Sequence, residues 1–203
     1  MLRGHLPLAA ALASGLTTSL PAQTAPGIGS LLRPGMQLVY YSNGKAQPPW
    51  LIDSIAAIPS PSPDSECRII HLRRQPTQPQ PDQNRFCLTR DTLFSWDQAR
   101  QGWVPARPAG IGMRLTVPRR VGGTVEFRTD GMSVDTVSGR VIPVLVTTVT
   151  TLDSLGRPVR RLRERYAIGL ATATSGTFEI PDSGTTGVWR PQQMFELRAI
   201  EQP

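Results

Sequence analysis

From residue 36 onward, apolar and polar positions alternate in short runs, and Gly, Pro, Asn or Asp interrupts each run. "MQLVYYS" (36–42) leads into Asn43-Gly44, a dipeptide suited to the left-handed backbone of a two-residue hairpin, and "WLIDSIAAI" (50–58) answers as a second strand. Further strands are predicted around Cys67–Arg73, "RFCLT" (85–89), "TLFSW" (92–96) and "GWVPA" (102–106). "GMRLTVP" (112–118) and "GTVEFRT" (123–129) follow, separated by "RRVG". "SGRVIPVLVTTVTTLD" (138–153) is rich in β-branched residues and places Ile142, Val144, Val146 and Thr148 on one face. Pro143 lacks an amide donor and belongs near an edge or a bulge. After "GTFEI" (176–180) and the turn "PDSGTTG", the run "QQMFELRAI" (192–200) turns Phe195, Leu197 and Ala199 one way and Glu196 and Arg198 the other.

One stretch fits two periods. In 158–174, Val159, Leu162, Tyr166 and Leu170 share a helix face, whereas Leu162, Tyr166, Ile168 and Leu170 share a strand face opposite Arg161, Arg163 and Arg165. Gly169 and the Thr-rich tail favour the strand, since helices tolerate neither well. The expectation is a long hairpin of 139–152 with 158–174. The whole pattern predicts an all-β fold: a mainly antiparallel barrel, half-barrel or sandwich with little helix.

The N-terminus follows another rule. Arg3, the apolar run "LPLAAALASGL" and the small, polar "TTSLPAQ" follow the order of a secretory signal peptide over 1–22, cut after Ala22 or alternatively Ala25. The apolar run is shorter than the ~20 residues of a membrane span, and no later run reaches that length. Residues 23–35 lack any period and read as a flexible arm, leaving 36–203 as one β-rich domain. The mature chain is therefore expected to be exported, periplasmic or secreted, without a transmembrane segment.

Export changes the reading of Cys67 and Cys87, the two cysteines of the chain. In an oxidising compartment two thiols pair, here closing the proline-rich loop "QPTQPQPDQN". A hairpin of 67–73 with 85–90 sets them opposite each other only in the register that pairs Ile69 with Arg85; otherwise the bridge joins non-adjacent parts of the strands. The formal charge is +7, carried almost wholly by arginine, with Lys45 the single lysine. Such a surface attracts anionic partners. The stretch "RPVRRLRER" concentrates it: Arg161, Arg163 and Arg165 would form a row about 7 Å apart on a strand, with Arg157 and Arg160 at its turn end. Guanidinium forks suit phosphate or carboxylate, so these five are the candidate anion-binding residues. Glu164 and cross-strand acids would reduce the row to a solvated face. No aromatics alternate with the arginines, which disfavours nucleic acid as a partner.

Catalytic motifs are weak. "PDSGTT" (181–186) resembles the Asp-Ser/Thr-Gly loop of pepsin-type aspartic proteases over six residues, but about twenty residues follow, too few for the rest of a lobe. His71 is the one histidine after the expected cut, and it sits in an alternating strand, more suited to packing than to a triad. No metal-ligand, phosphate-loop or calcium-loop spacing is present, so no metal or cofactor is expected. Carboxylates that converge only in the fold remain the route to a hydrolase.

Finally, the second half of the chain, "VIPVLVTTVTTLDSLGRPVRRLRERYAIGLATAT" with its Tyr166-x-x-Gly169-Leu170 ending, resembles the exported lipoprotein-carrier-like proteins. The likeness covers about a third of the chain and lacks the helices that usually cover their ligand. It implies a curved antiparallel sheet around an apolar ligand, with Val144, Val146, Tyr166 and Ile168 as candidate lining. The expectation is a non-catalytic exported β-protein that binds an envelope component, whether lipid, lipoprotein or protein partner. The alternative is a hydrolase with a carboxylate site assembled only in the fold.

Overall fold

The computed structural model describes residues 27–75, 77–119, 121–183 and 187–202; the expected signal peptide and residues 23–26 of the expected arm lie outside them. The described strands are β1 (Gln37–Ser42), β2 (Lys45–Ala46), β3 (Trp50–Ala57), β4 (Glu66–Arg73), β5 (Asp82–Leu88), β6 (Thr92–Asp97) and β7 (Gly102–Pro108). The second half supplies β8 (Arg114–Pro118), β9 (Thr124–Val137), β10 (Arg140–Leu152), β11 (Pro158–Ala167), β12 (Thr172–Pro181) and β13 (Trp189–Glu201). Among the described residues the helical element is one 3-10 turn, Ile168–Leu170.

All these strands join one antiparallel sheet in the order β7-β6-β5-β4-β3-β1-β13-β12-β11-β10-β9-β8, with the short β2 paired to β1 off that path. The sheet curls into a nearly closed barrel, within the fold class the pattern predicts. Most neighbours are joined by local hairpins, which keeps loop-closure costs small. The long-range exception is β1 against β13, where Leu38 pairs with Ile200 and Ser42 with Phe195. The seam lies between β7 and β8, which share no ladder among the described residues. Pro105 and Pro108 in β7 and Pro118 in β8 lack amide donors, so these strands suit edges. A side-chain bond bridges the gap instead: the Thr129 hydroxyl of β9 donates to the Pro108 carbonyl of β7 at 2.8 Å.

The cysteine hairpin takes the register that the bridge requires. Ile69 pairs with Arg85 and Cys67 with Cys87, and the two cysteines form a disulfide. Pro143 also finds a suitable place. The ladder from β10 to β11 begins only at Leu145–Tyr166, so Pro143 meets no β11 partner that would require its missing N–H.

Two expectations change. The first concerns residues 27–35, expected as part of a flexible arm. Ile28 and Leu32 are buried, as is Met36 just beyond, and Gly29 and Leu31 donate backbone hydrogen bonds to Ile168 and Gly169. The physical reason is apolar burial: the segment's aliphatic side chains fill the interior beside the 3-10 turn. Gly169 permits the approach, because a Cβ there would lie 2.9 Å from the Leu31 side chain. The second change concerns 158–174, which is two strands rather than one arm of a hairpin. Strand β11 stops at Ala167, the 3-10 turn buries Ile168 and Leu170, and Ala171 takes a left-handed φ of 51° to start β12.

The core forms two adjoining clusters. Leu38, Tyr40, Ile52, Ile70, Ile142 and Val144 belong to one, and Ile28, Leu93, Leu145, Tyr166, Ile168 and Ala173 to the other. Adjacent residues Val144 and Leu145 are both buried, one in each cluster, so β10 is covered on both faces at its middle.

Candidate functional site: a chamber inside the barrel

The strand period directs Leu162, Glu164 and Tyr166 of β11 to the same face, and their partners Val149, Thr147 and Leu145 on β10 share it. Leu162, Glu164 and Tyr166 line a chamber of about 740 Å³ that opens to solvent beside the exposed Gln47, Pro48 and Gln75. Leu38, Ile52, Ile70, Phe86 and Phe178 contribute apolar wall, and Arg107, Asn84 and Glu164 contribute polar groups. An apolar wall with a few convergent polar groups is the usual makeup of a small-molecule site.

The polar groups have a defined arrangement. Arg107 reaches from β7 to β11, where its Nε and Nη2 donate to the Glu164 carboxylate at 2.7 and 3.2 Å. Thr147 donates a third bond to Glu164 at 3.1 Å. The same guanidinium lies 4.0 Å from the centre of the Tyr166 ring, a cation–π contact. Glu164 is buried, so its charge depends on these partners. Burial acts most strongly on Arg107 and pulls its ionisation down, but the Glu164 carboxylate outweighs it and holds the cation above its ordinary range. Burial pushes the Tyr166 phenol up to about 12, against the pull of Arg107 and with the help of Glu164. Burial likewise raises Tyr40, although a hydrogen bond to Thr172 opposes it.

The two tyrosines differ in bonding. Tyr40 donates its hydroxyl to the Ala173 carbonyl at 2.9 Å and meets the Thr172 hydroxyl at 3.1 Å. The Tyr166 hydroxyl and the Asn84 side-chain nitrogen are buried without a hydrogen-bond partner among the described residues. Such orphaned groups cost about 1–3 kcal/mol each and are uncommon in folded proteins.

The candidate residues separate. Of the four expected to line an apolar cavity, Tyr166 lines the chamber, while Val144 and Ile168 are packed into the core clusters. Val146 instead lines a second concavity of about 760 Å³, whose lining includes Arg128, Arg161, Arg163 and Arg165. Glu164 does not offset the arginine row from the same face; the strand period turns it inward, away from Arg163 and Arg165. Other acids meet the row. Arg161 and Arg163 share the Glu179 carboxylate at 2.6 and 2.9 Å, and Arg165 binds Asp135 at 2.6 Å. Arg157 pairs with Asp153 at 2.8 Å, and Arg160 stacks 4.1 Å from the Phe178 ring centre. Arg128 pairs with Asp130. Each cation of this groove is therefore already engaged by a carboxylate.

Sequence reasoning missed Arg107, Glu164 and Asn84. For Glu164 a signal was present: it is the one acid in phase with Leu162 and Tyr166. Arg107 and Asn84 carried none, because their place depends on how far the sheet curls.

No protein-family model and no curated protein matches the chain. Among solved structures the chain is similar to a protein described as a "putative lipoprotein" from Parabacteroides distasonis ATCC 8503, with 8% identity and a TM-score of 0.46. The match covers 88% of this chain and 100% of that one, a weak resemblance to lipoprotein-like proteins of unknown function.

Proposed function

We propose that this chain is a non-catalytic exported β-barrel protein that holds an apolar envelope component, a lipid or lipid-like molecule, in its interior chamber. The observation that carries the reading is an aliphatic and aromatic wall bordered by two buried groups without a partner among the described residues, the Tyr166 hydroxyl and the Asn84 amide nitrogen. A neutral amphiphile would cover the wall and offer acceptors to those donors. The Cys67–Cys87 disulfide supports an oxidising compartment. Glu164 supports binding over hydrolysis: it is the carboxylate that lines the chamber among the described residues, and Arg107 and Thr147 already hold it.

The test is native mass spectrometry of the mature protein purified from the envelope, followed by organic extraction. A stoichiometric hydrophobic adduct, released on unfolding, is expected. In parallel, the neutral dye N-phenyl-1-naphthylamine should bind with one-to-one saturation and be displaced by the extract. An adduct-free protein that also leaves the dye unbound would refute the chamber as a ligand site.

A further inference from the structure

Three hairpin turns project together from one end of the sheet. The register pairs Pro118 with Thr124, Thr124 with Leu152, and Leu152 with Pro158, while Pro181 pairs with Trp189. The turns β8–β9, β10–β11 and β12–β13 therefore leave from nearly the same row, each about 10 Å from the next, or two strand spacings. Each carries an aliphatic residue in water: Val121 is 81% exposed, Leu155 73% and Val188 44%. Turn tips ordinarily hold Gly, Asn, Asp or Ser.

Other residues build these turns. Gly122, Gly123, Gly156 and Gly187 take the left-handed conformations, with φ of 83°, 78°, 75° and 81°. At the middle turn the Asp153 carboxylate accepts backbone N–H bonds from Leu155 and Arg157, both at 2.9 Å. Val121 and Leu155 contribute little packing to the fold, and Val188 is nearly half exposed.

Charge surrounds them. Arg119 and Arg160 are exposed, and the side chains of Arg157 and Arg190 are 72% and 58% exposed. The acids of the same turns, Asp153 and Asp182, pair with Arg157 and Arg190 and lie lower, at 23% and 29%. Four arginines against two aspartates leave this described rim with a net charge of +2.

We infer that this rim docks on an anionic lipid bilayer, with Val121, Leu155 and Val188 entering the boundary between headgroups and acyl chains and the arginines meeting lipid phosphates. Separate aliphatic points ringed by cations suit a fluid, negatively charged surface, which closes around each point. A protein partner would instead be met by a contiguous apolar centre with a polar rim. The inference does not rest on the chamber, and a protein with an empty interior would dock equally well.

The experiment is co-sedimentation of the mature protein with large vesicles at low salt. One set is phosphatidylcholine alone, and the other has a one-third share of phosphatidylglycerol. Binding is expected to the anionic vesicles, with little to the neutral ones. The triple variant Val121→Ser/Leu155→Ser/Val188→Ser should weaken it by about tenfold or more. The double variant Arg119→Gln/Arg160→Gln should also weaken it by about tenfold and flatten its salt dependence. Both variants should stay within about 1 kcal/mol of the wild-type stability by urea unfolding, since the altered side chains are exposed or half-exposed and the Arg160 contact with the Phe178 ring is an exposed one. Equal binding to neutral vesicles, no binding to either set, or unchanged binding by the two variants would overturn the inference.

Discussion

Replacing Arg107 by Met would strand the Glu164 carboxylate inside the barrel. That carboxylate has a side-chain exposure of 2%, and two of its three hydrogen bonds come from Arg107. Leaving a buried charge without its partner costs about 3–5 kcal/mol, so Arg107→Met should lower unfolding stability by that amount. The reverse change should cost less. In Glu164→Leu the arginine keeps 21% side-chain exposure and its place over the Tyr166 ring, and we expect a loss of about 1–3 kcal/mol. The double variant Arg107→Met/Glu164→Leu removes both charges and fills the space with apolar atoms. It should return to within about 1 kcal/mol of the wild type, because apolar replacements of buried pairs are often neutral or stabilising. The cycle thus predicts a coupling of roughly 3 kcal/mol or more. Urea unfolding followed by tryptophan fluorescence reads all four proteins. Additive losses in the double variant, or a loss below about 1 kcal/mol for Arg107→Met, would refute the claim that Glu164 depends on Arg107.

Two further outcomes follow from buried groups. Because burial raises Tyr166 to about 12 from an ordinary 10, the unfolded chain releases that proton first. Its contribution is therefore full below pH 10 and is lost as pH rises towards 12, by roughly 2–3 kcal/mol. Absorbance titration should show two of the three tyrosines, Tyr40 and Tyr166, ionising late or only on unfolding; release of all three near pH 10 would contradict the burial. Reducing the Cys67–Cys87 bridge, which spans a sequence separation of 20, should cost roughly 3 kcal/mol in the chain-entropy account. Urea curves with and without reductant test this, and a shift under about 1 kcal/mol would place the bridge's effect elsewhere than in the unfolded chain.

Much of the local structure could be read along the chain, because strand period, turn glycines and donor-less prolines act within a few residues. Asn43-Gly44 ends β1, and "RRVG" separates β8 from β9. In β13 Leu197 turns inward and Arg198 outward as its sequence shows, but a bulge opposite Val39 and Tyr40 resets the phase, so Ile200 is buried with Leu197. The pairing of Cys67 with Cys87 was equally legible, since one register of one hairpin satisfies it.

Tertiary structure decided what depends on distant partners. Sequence alone left 27–35 as an arm, because no periodicity marks a segment whose order comes from the interior it fills. It also read 158–174 as one strand; the turn at Ile168–Leu170 forms because both aliphatic side chains gain burial there. For the chamber, the sequence supplied the inward phase of Leu162, Glu164 and Tyr166, but not the partner of Glu164, 57 residues away on β7. That partnership exists only because β13 closes on β1 and the sheet curls until β7 faces β11. Side-chain phase is a property of one strand. Which charge meets which is a property of the curled, nearly closed sheet, where the low-dielectric interior makes an unpaired carboxylate costly and a matching guanidinium necessary.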